Sequence, residues 1–381
     1  MTEPLRHVDI AILGAGPVGM ALARALKGSG LDLLLIDRAP RRAWANDPRA
    51  LAIAHGSRQL LERLDAWNVG DTTDIRRIHV SQQGGFGRTE LCAEEHGLPA
   101  LGYVLRYRDL AARLERETDT IPTLRPATVE RIDSDDTGVR LHVRTDDGPA
   151  EIAARLLVHA EGAPAEGPDV HVRDYGQLAI VTEVRPASSH NFRAWERFTP
   201  DGPLALLPFG PDYAIVLTAP TATAQRLLQG DEASFLDALR ERLGKRIDIV
   251  ACGPRAAFPL ALRLRKQLAG PRQVWIGNTA QTLHPVTGQG FNLGLRDAWT
   301  LADTLWDARR QDPGDASTLA RYARRRQPDR LIGTLLTDGL VRLFSNDIGP
   351  LRALRGLGLL TLDLTPPLRA PLARQMIWGT R

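Results

Sequence analysis

Hydrophobic runs near the start of the chain have the length and the boundaries of strands that are covered on both faces. Apolar residues 8–13 and 31–36 flank a glycine-rich turn and a short helix, which the pattern predicts over residues 17–27. Apolar runs of about four to eight residues between turn residues are typical of strands in a parallel sheet. The pattern therefore predicts a βαβ unit over residues 7–37.

Apolar and polar positions alternate with a two-residue period in several stretches of residues 177–263, which indicates a separate antiparallel sheet. The other predicted elements are a helix over residues 50–67, short strands at 78–82 and 88–92, a helix over 109–117, a hairpin of 127–134 and 139–145, a buried strand at 153–159 and a helix over 316–345. The leucines of the tail, residues 349–378, are expected to pack in a core.

The segment of residues 274–298 combines a strand, a polar turn and the start of a long helix. Gly277-Asn278 follows the strand, His284-Pro285 lies in the turn, and Gly288-Gln289-Gly290 opens the helix. The first N–H groups of a helix have no partner within it, and the helix dipole favours negative charge there. We therefore expect a ligand with negative charge at this turn.

The first βαβ unit carries Gly14, Gly16 and Gly19 in the spacing G-x-G-x-x-G, and Asp37 ends its second strand. In such a unit the glycines allow a tight turn, a close approach of a pyrophosphate, and close packing of helix on strand. The acid about 20 residues later accepts hydrogen bonds from ribose hydroxyls. This site and the one at residues 274–298 are far apart in sequence, which suggests one long cofactor held at both ends.

Composition narrows the function classes. The 381 residues are 43% hydrophobic and 25% charged, which is ordinary for a globular enzyme. The net charge of +4 comes mostly from dispersed arginines, without the clustered basic stripe of a nucleic-acid site. Cys92 and Cys252 predict neither a disulfide framework nor a metal site, and they fit a reducing cytoplasm. The sequence has no uncharged apolar run of about 18 residues, so it predicts no membrane span.

Three motifs resemble those of the flavin-dependent aromatic hydroxylases, which share the para-hydroxybenzoate hydroxylase fold: GAGPVG at 14–19, AEG at 160–162 and IGNTAQTLHPVTGQGFNLG at 276–294. Within that group the chain is most similar to the ubiquinone-biosynthesis hydroxylases, above all to those acting on 2-polyprenyl-6-methoxyphenol. The segments that narrow the resemblance are DPRALAIAHGS at 47–57, YGQLAIVTEV at 175–184, RAWERFTPDGPLALLPF at 193–209 and LTPPLRAPLARQMIWG at 364–379.

The resemblance implies an α/β fold in which a Rossmann-like FAD-binding domain is interleaved with an antiparallel-sheet substrate domain and followed by a C-terminal helical segment. The expected FAD-binding domain comprises residues 1–75, 100–170 and 268–345. The expected substrate domain comprises residues 76–99 and 171–267, and the helical segment comprises residues 346–381.

The resemblance also implies which residues hold FAD. Arg38 and Val129 are expected beside the adenine, Arg106 near the pyrophosphate, and the backbone N–H groups of residues 288–292 at the flavin ring. The full set of expected cofactor-binding residues is Gly14, Gly16, Gly19, Asp37, Arg38, Arg106, Val129, Gly277, Asn278, Pro285, Gly288, Gln289, Gly290 and Asn292.

Two positions depart from the broad family pattern. Glu161-Gly162 stands where the family has Asp-Gly, and Gly277-Asn278 stands where it has Gly-Asp. Asn278 keeps an acceptor oxygen for a ribityl hydroxyl and carries no charge that would repel the pyrophosphate, so we expect FAD to bind. The effect of Glu161 on nicotinamide handling stays open.

The chemistry that the resemblance implies uses no protein nucleophile. NADPH or NADH visits transiently and reduces FAD, and O2 then gives a flavin C4a-hydroperoxide that transfers oxygen to a phenol ring. His55 and His284 are candidates by residue type for the base that activates the phenol, and a structural hydrogen-bonding role is the alternative for each. Arg49 is a candidate for the substrate side of the flavin, or a loop arginine paired with Asp47.

Glu196 and Arg197 are neighbours on a predicted strand, and we interpret them as an exposed cross-strand pair.

The expected partners of the protein are a prenylated phenol and other ubiquinone-biosynthesis proteins, without nucleic acid. The expected location is the cytoplasm, with a peripheral contact to the inner membrane left open because the substrate is greasy. Core packing is the prediction for the tail leucines, and contact with membrane or with prenyl chains is the alternative. Two alternatives to this function remain: a hydroxylase of another quinone precursor or a soluble phenol, and a non-catalytic FAD-binding scaffold.

Overall fold

The computed structural model describes residues 6–67, 72–164, 166–344 and 349–380. Within these ranges the chain forms three β-sheets and nine α-helices. The helices are α1 (Pro17–Leu26), α2 (His55–Arg63), α3 (Tyr107–Glu117), α4 (Thr221–Gln229), α5 (Glu232–Leu243), α6 (Gly290–Asp307), α7 (Ala316–Phe344), α8 (Gly349–Leu364) and α9 (Pro366–Trp378). The mixture of helices and sheets confirms the predicted α/β class.

The first sheet has eight strands, and its centre is parallel. Its order is β18-β19-β11-β1-β2-β8, and β10 pairs with both β11 and β9. The strands are β1 (Arg6–Leu13), β2 (Leu33–Ile36), β8 (Thr123–Leu124), β9 (Ala127–Ser134), β10 (Val139–Thr145), β11 (Gly148–His159), β18 (Ala269–Gly270) and β19 (Gln273–Trp275). The predicted βαβ unit and the predicted hairpin are both confirmed.

The second sheet has nine strands and is antiparallel except where β13 pairs with β5. Its order is β20-β17-β12-β15-β14-β13-β5-β6, with β16 beside β12. The strands are β5 (Arg77–Gln82), β6 (Arg88–Cys92), β12 (Val170–Pro186), β13 (Arg193–Thr199), β14 (Gly202–Phe209), β15 (Asp212–Pro220), β16 (Ile249–Cys252), β17 (Ala256–Arg265) and β20 (Gln281–Thr282). The alternation within residues 177–263 therefore does mark an antiparallel sheet.

A small third sheet corrects the prediction for residues 50–67. Its strands, in the order β3-β7-β4, are β3 (Ala50–Ala54), β4 (Thr73–Ile75) and β7 (Gly102–Arg106). The helix begins only at His55, because the first five residues pair with β7 in the register Ala50↔Arg106 to Ala54↔Gly102. The partner strand is distant in sequence, so the local pattern alone does not reveal it.

The main core is formed where α1 and α6 pack on the parallel sheet, with Leu22, Leu295 and Leu301 fully buried there. A second core lies between the antiparallel sheet and α4–α5, around Leu217 and Phe235. The strands of the two large sheets alternate along the chain, and the domain bounds given above stay a prediction.

The tail differs from its prediction, since many of its leucines are exposed rather than packed in a core. Their side chains lie on α8 and α9 with large accessible fractions, and α7 adds further exposed apolar residues. The exposed apolar residues of α7–α9 are Leu331, Ile332, Leu335, Leu343, Leu354, Leu357, Leu360, Leu364, Leu368 and Leu372.

Candidate active site

A cavity of about 1310 Å³ receives wall residues from the antiparallel sheet, from the loops that follow strands of the parallel sheet, and from α7, α8 and α9. Gly14 and Asp37 line it at the end of the parallel sheet, and Pro285 and Gly288 line it before α6. The two glycine segments that sequence places far apart are therefore brought to one space. A single elongated ligand can contact both.

The turn after β1 allows no side chain at two of its glycines. Gly14 has φ +103°, and a Cβ there would lie 2.5 Å from the Ala160 carbonyl oxygen. A Cβ at Gly19 would lie 1.9 Å from the Gly14 oxygen, so the start of α1 can approach this turn only with glycine at that position. Gly16 also lines the cavity. A Cβ at Gly16 would meet only the Tyr107 hydroxyl, at 4.0 Å, so this glycine leaves the backbone open for a close ligand, as a pyrophosphate requires.

Asp37 lies at the end of β2 and holds the loop around the site. Its carboxylate accepts hydrogen bonds from the backbone N–H of Ala15 at 2.6 Å and of Ala39 at 2.8 Å. Each carboxylate oxygen has a second lone pair, so Asp37 can still accept a ribose hydroxyl. Arg38 is exposed on the same wall. Val129 lies on β9 within a separate apolar cluster, outside the cavity walls that the structure describes.

The N-terminus of α6 faces the cavity without a side-chain cap. Gly288 has φ +60°, Gln289 precedes the first helical residue, and Gly290 begins the helix with open space where a Cβ would be. The Gln289 side chain makes no capping hydrogen bond, and its Nε2 donates to the Met376 carbonyl at 3.1 Å. The first N–H groups of an 18-residue helix are therefore available to a ligand that carries negative charge.

Asn292 supports this helix start rather than the ligand. Its Oδ1 accepts from the Ala54 N–H at 2.8 Å, and its Nδ2 donates to the carbonyls of Ala52 at 2.8 Å and Gly288 at 2.9 Å. The side chain is buried and fixes the glycine turn against β3. This leaves only the backbone of Asn292 for the predicted contact with a flavin.

Asn278 and Gly277 connect the parallel sheet to the same turn. Asn278 is exposed on the cavity wall, where its side-chain amide can form hydrogen bonds with a polar part of a ligand. Gly277 has φ +62°, and its N–H donates at 3.0 Å to Asp297, a buried acid of α6. Pro285 lies on the cavity wall beside Gly288. The tight glycine turns, the open helix N-terminus and the volume of the cavity fit FAD. The pyrophosphate at Gly14–Gly19 and the flavin ring at Gly288–Gly290 stay predictions.

Two arginines on the cavity wall are already paired with acids. Arg49 forms a bidentate pair with Asp47, with Nε–Oδ1 at 2.9 Å and Nη2–Oδ2 at 2.6 Å, and its guanidinium lies over the Tyr107 ring at 4.5 Å. Arg106 pairs with Glu183, with Nη2–Oε2 at 3.2 Å. The pair of Arg49 with Asp47 is therefore present, and a place for Arg49 on the substrate side of the flavin stays a prediction.

Neither candidate histidine lies on the described walls of the large cavity. His284 is buried, its Nδ1 accepts from the Val286 N–H at 3.1 Å, and its Nε2 has no described hydrogen-bond partner. Burial lowers the pKa of His284 to about 4, so the imidazole is neutral at neutral pH. His55 is buried at the start of α2, near the Tyr103 hydroxyl and the Trp378 ring.

Glu196 and Arg197 are not the exposed pair that the sequence suggests. Arg197 is buried on one face of β13 and donates to the Arg242 carbonyl at 2.5 Å and to the Ser81 hydroxyl at 3.1 Å. Glu196 lies on the wall of the large cavity, and its Oε1 is buried without a described hydrogen-bond partner. Adjacent strand residues point to opposite faces, which is why the two side chains do not meet.

Glu161, the departure in the middle motif, lines the cavity beside the first glycine turn. Its Oε1 lies 3.1 Å from His159 Nδ1, and the His159 ring stacks on Trp275 with centroids 5.0 Å apart. In the described ranges no group of three or more His, Cys, Asp or Glu is arranged to hold a metal ion. Among the helices that the structure describes, none is long and apolar enough to cross a bilayer.

Comparison with known proteins shows the family to which the chain belongs. The family model of an FAD binding domain matches residues 7–330. The ubiquinone hydroxylase UbiL of Rhodospirillum rubrum is 34% identical, over 95% of this chain and 87% of the relative. The 3-demethoxyubiquinol 3-hydroxylase of Escherichia coli is 32% identical, over 93% of this chain and 94% of the relative.

Among solved structures, p-nitrophenol 4-monooxygenase from Pseudomonas putida has the same fold. It superposes with a TM-score of 0.79 at 16% identity and covers 99% of this chain and all (100%) of its own. The chain belongs to the FAD-binding domain family and is a flavin-dependent hydroxylase of the ubiquinone-hydroxylase group. The family, the enzyme class and FAD as the cofactor, all predicted from sequence, are confirmed.

Proposed function

We propose that this chain hydroxylates the ring of a 2-polyprenyl-6-methoxyphenol in ubiquinone biosynthesis. One observation carries the choice of a prenylated substrate: the cavity that reaches the N-terminus of α6 continues between apolar side chains of α7, α8 and α9. The leucines on that part of the wall are Leu336, Leu340, Leu343, Leu351, Leu354, Leu359, Leu362 and Leu372. A soluble phenol needs no such lining, whereas an isoprenoid chain does.

Bound FAD supplies the redox chemistry, taking up reducing equivalents from NADPH or NADH and activating O2. The chain contributes binding, orientation and exclusion of water. The α6 N-terminus favours negative charge on the flavin edge beside it. The apolar cavity walls keep water from the reacting ring. Contacts of Arg38, Arg106, Val129 and Glu161 with the cofactors remain proposals.

A second substrate on the same pathway is the main alternative, because one relative at 32% identity is named a 3-demethoxyubiquinol 3-hydroxylase. The two substrates differ in the ring, whereas the prenyl chain is common to both. The apolar cavity wall therefore supports either. Product analysis decides between them.

The test is genetic and chemical. We expect cells that lack the gene to lose ubiquinone and to accumulate a 2-polyprenyl-6-methoxyphenol, and mass spectrometry of quinone extracts measures both. Accumulation of demethoxyubiquinol would favour the second substrate. Normal ubiquinone without an accumulated phenol would contradict the proposal.

An assay with purified protein separates the enzyme from a scaffold that only binds FAD. We expect a short-chain 2-prenyl-6-methoxyphenol to stimulate NADPH oxidation and to yield a hydroxylated product. NADPH oxidation that the phenol leaves unchanged, with FAD bound, would support the scaffold alternative.

A further inference from the structure

Glu196 is a carboxylic acid on the apolar face of the antiparallel sheet. Ala194, Glu196 and Phe198 alternate along β13 and line the cavity. The residues beside Glu196 on the two neighbouring strands are Val80 on β5 and Ala205 on β14, and both also line the cavity. The two residues directly across the sheet from the Glu196 carboxyl group are therefore aliphatic.

The carboxyl group has no described partner that would justify its place in the fold. Oε1 is buried without a hydrogen bond, and no ion pair of Glu196 is found in the described ranges. Burying a polar group without a hydrogen bond lowers the stability of the fold. A residue that lowers stability and faces the active-site cavity is a candidate for contact with a ligand.

The charged groups on the surrounding elements are engaged elsewhere. Glu183 on β12 pairs with Arg106, and Arg49 pairs with Asp47. Arg355 on α8 donates to the Leu343 and Phe344 carbonyls at 3.0 Å each.

Four further charged groups line the cavity, and Glu161 beside the first glycine turn is one of them. Arg369 on α9 pairs with Glu95, whose Oε2 lies 2.8 Å from its Nη2. Asp37 and Arg38 lie at the end of the cavity near the first glycine turn. Burial alone raises the pKa of Glu196 to about 8, so the group exchanges its proton near neutral pH.

We propose that Glu196 meets the ring hydroxyl of the substrate and accepts its proton. The inference rests on the proposed function, because it assigns the phenol-activating group of that reaction. The phenol O–H bond breaks, a proton passes to the ionised carboxylate of Glu196, and the electron pair stays on the phenol oxygen. Negative charge moves from the carboxylate to the ring, where it raises the electron density of the ring carbons that accept oxygen. The proton returns to water when the product leaves.

Glu196 therefore takes the role of base for which His55 and His284 were candidates. Neither histidine lies on the described cavity wall, whereas Glu196 does. Since a base works best when its pKa lies near the working pH, a carboxyl with an ordinary pKa would be a weaker acceptor for a phenol proton. The apolar sheet face supplies the required environment.

Glu196→Gln in the FAD-bound protein tests the proposal, with Glu241→Gln at an exposed position of α5 as the matched control. We expect Glu196→Gln to bind FAD and to keep or raise the melting temperature, since it removes no hydrogen bond. With a short-chain 2-prenyl-6-methoxyphenol, kcat for hydroxylation should fall about 100-fold or more, the usual effect of losing a general base. The wild-type increase of kcat as pH rises towards 8 should disappear, and Glu196→Asp should restore part of it.

Infrared spectroscopy gives a readout that does not depend on turnover. The wild-type protein should show a protonated-carboxyl band that weakens as pH rises through about 8. The same phenol should shift this band, and Glu196→Gln should lack it.

The outcomes separate the two proposals. Glu196→Gln that hydroxylates with the wild-type rate and pH profile, or a carboxyl band that the phenol leaves unchanged, overturns the role of Glu196. A lower melting temperature with an unaltered pH profile would also contradict it, because that result indicates a structural role. If the wild type yields no hydroxylated product, the proposed function fails, and the phenol-induced band shift still decides whether Glu196 meets a phenol.

Discussion

At the scale of single residues, Gly19 fixes how closely α1 approaches the turn after β1. A Cβ at this position would lie 1.9 Å from the Gly14 carbonyl oxygen, so alanine can be accommodated only if the helix or the turn moves. We expect Gly19→Ala to purify with less than half of the wild-type flavin and with a lower melting temperature. Flavin absorbance per protein and thermal unfolding followed by circular dichroism measure the two effects.

Gly339→Ala is the matched control for Gly19→Ala, because a Cβ at that exposed position of α7 would meet no atom within 4 Å. Alanine is the better helix former by about 1 kcal/mol, so this variant should keep its flavin and be no less stable. Full flavin content in Gly19→Ala would show that the turn adapts, and it would contradict the argument from close packing.

The glycines of the site could be predicted from sequence because their role is local. Gly14, Gly16 and Gly19 serve one turn between one strand and one helix, and their spacing is therefore visible. The structural role of Asn292 could not be predicted, since its Oδ1 bonds to an N–H 238 positions away. Glu196 was missed for a related reason: which face of β13 lines a cavity depends on the elements packed against the sheet.

At the scale of elements, a buried ionic network connects α6, α7 and the end of the chain. Asp329 on α7 accepts from Arg296 Nε at 2.7 Å and from the Thr380 N–H at 3.1 Å, and Arg326 Nη2 lies 2.8 Å from it. Arg326 also contacts Asp297, which holds Gly277. The network therefore reaches from the tail to a turn of the FAD site.

We expect Asp329→Asn to lower the free energy of unfolding by about 3–5 kcal/mol, because it leaves two arginines in a buried site without their carboxylate. Burial opposes ionisation of Asp329, but the two arginines lower its pKa to about 2. A lowered pKa stabilises the folded state above the ordinary pKa of an aspartate, near 4, and this stabilisation is lost as pH falls towards 2. Urea unfolding at pH 7 and at pH 3 should show the larger effect at pH 7.

The matched control for Asp329→Asn is Asp303→Asn on α6. Asp303 pairs with Arg325 at 2.7 Å, but the two side chains are 49% and 43% exposed, and such pairs contribute about 0–1 kcal/mol. Equal losses of stability in the two variants would show that burial of the network has no special weight.

Elements with a strong local period could be predicted, and short ones defined by distant partners could not. The βαβ unit of residues 7–37 and the hairpin of residues 127–145 have their partners close in sequence or carry continuous apolar runs. The strand β3 is a short apolar run, but its residues are also compatible with a helix, and its partner β7 lies about 50 residues later. The predicted helix over residues 50–67 was therefore wrong in its first five residues.

At the scale of the whole molecule, the exposed leucines of α7–α9 lie next to the apolar end of the cavity. Leu343, Leu354 and Leu372 belong both to the exposed apolar residues and to the cavity wall. An exposed apolar patch on this scale usually marks a binding surface. The sequence predicted core packing for the tail because leucine spacing on a helix does not distinguish a buried face from a face that binds a greasy ligand.

The last prediction concerns entry of the prenyl chain. Leu354 is 63% exposed and lies on the cavity wall, so Leu354→Glu places a charge at the mouth of the cavity. We expect KM for a long-chain 2-polyprenyl-6-methoxyphenol in detergent micelles to rise about 10-fold or more, since burying several apolar groups beside a charge loses more than 1.4 kcal/mol of binding. KM for 2-methoxyphenol, which has no chain, should change little, because its ring binds near α6.

Leu357→Glu is the control on the same helix, 51% exposed and outside the described cavity wall, and it should leave both values near wild type. An equal rise of KM for both phenols in Leu354→Glu would mean that the prenyl chain leaves the cavity elsewhere.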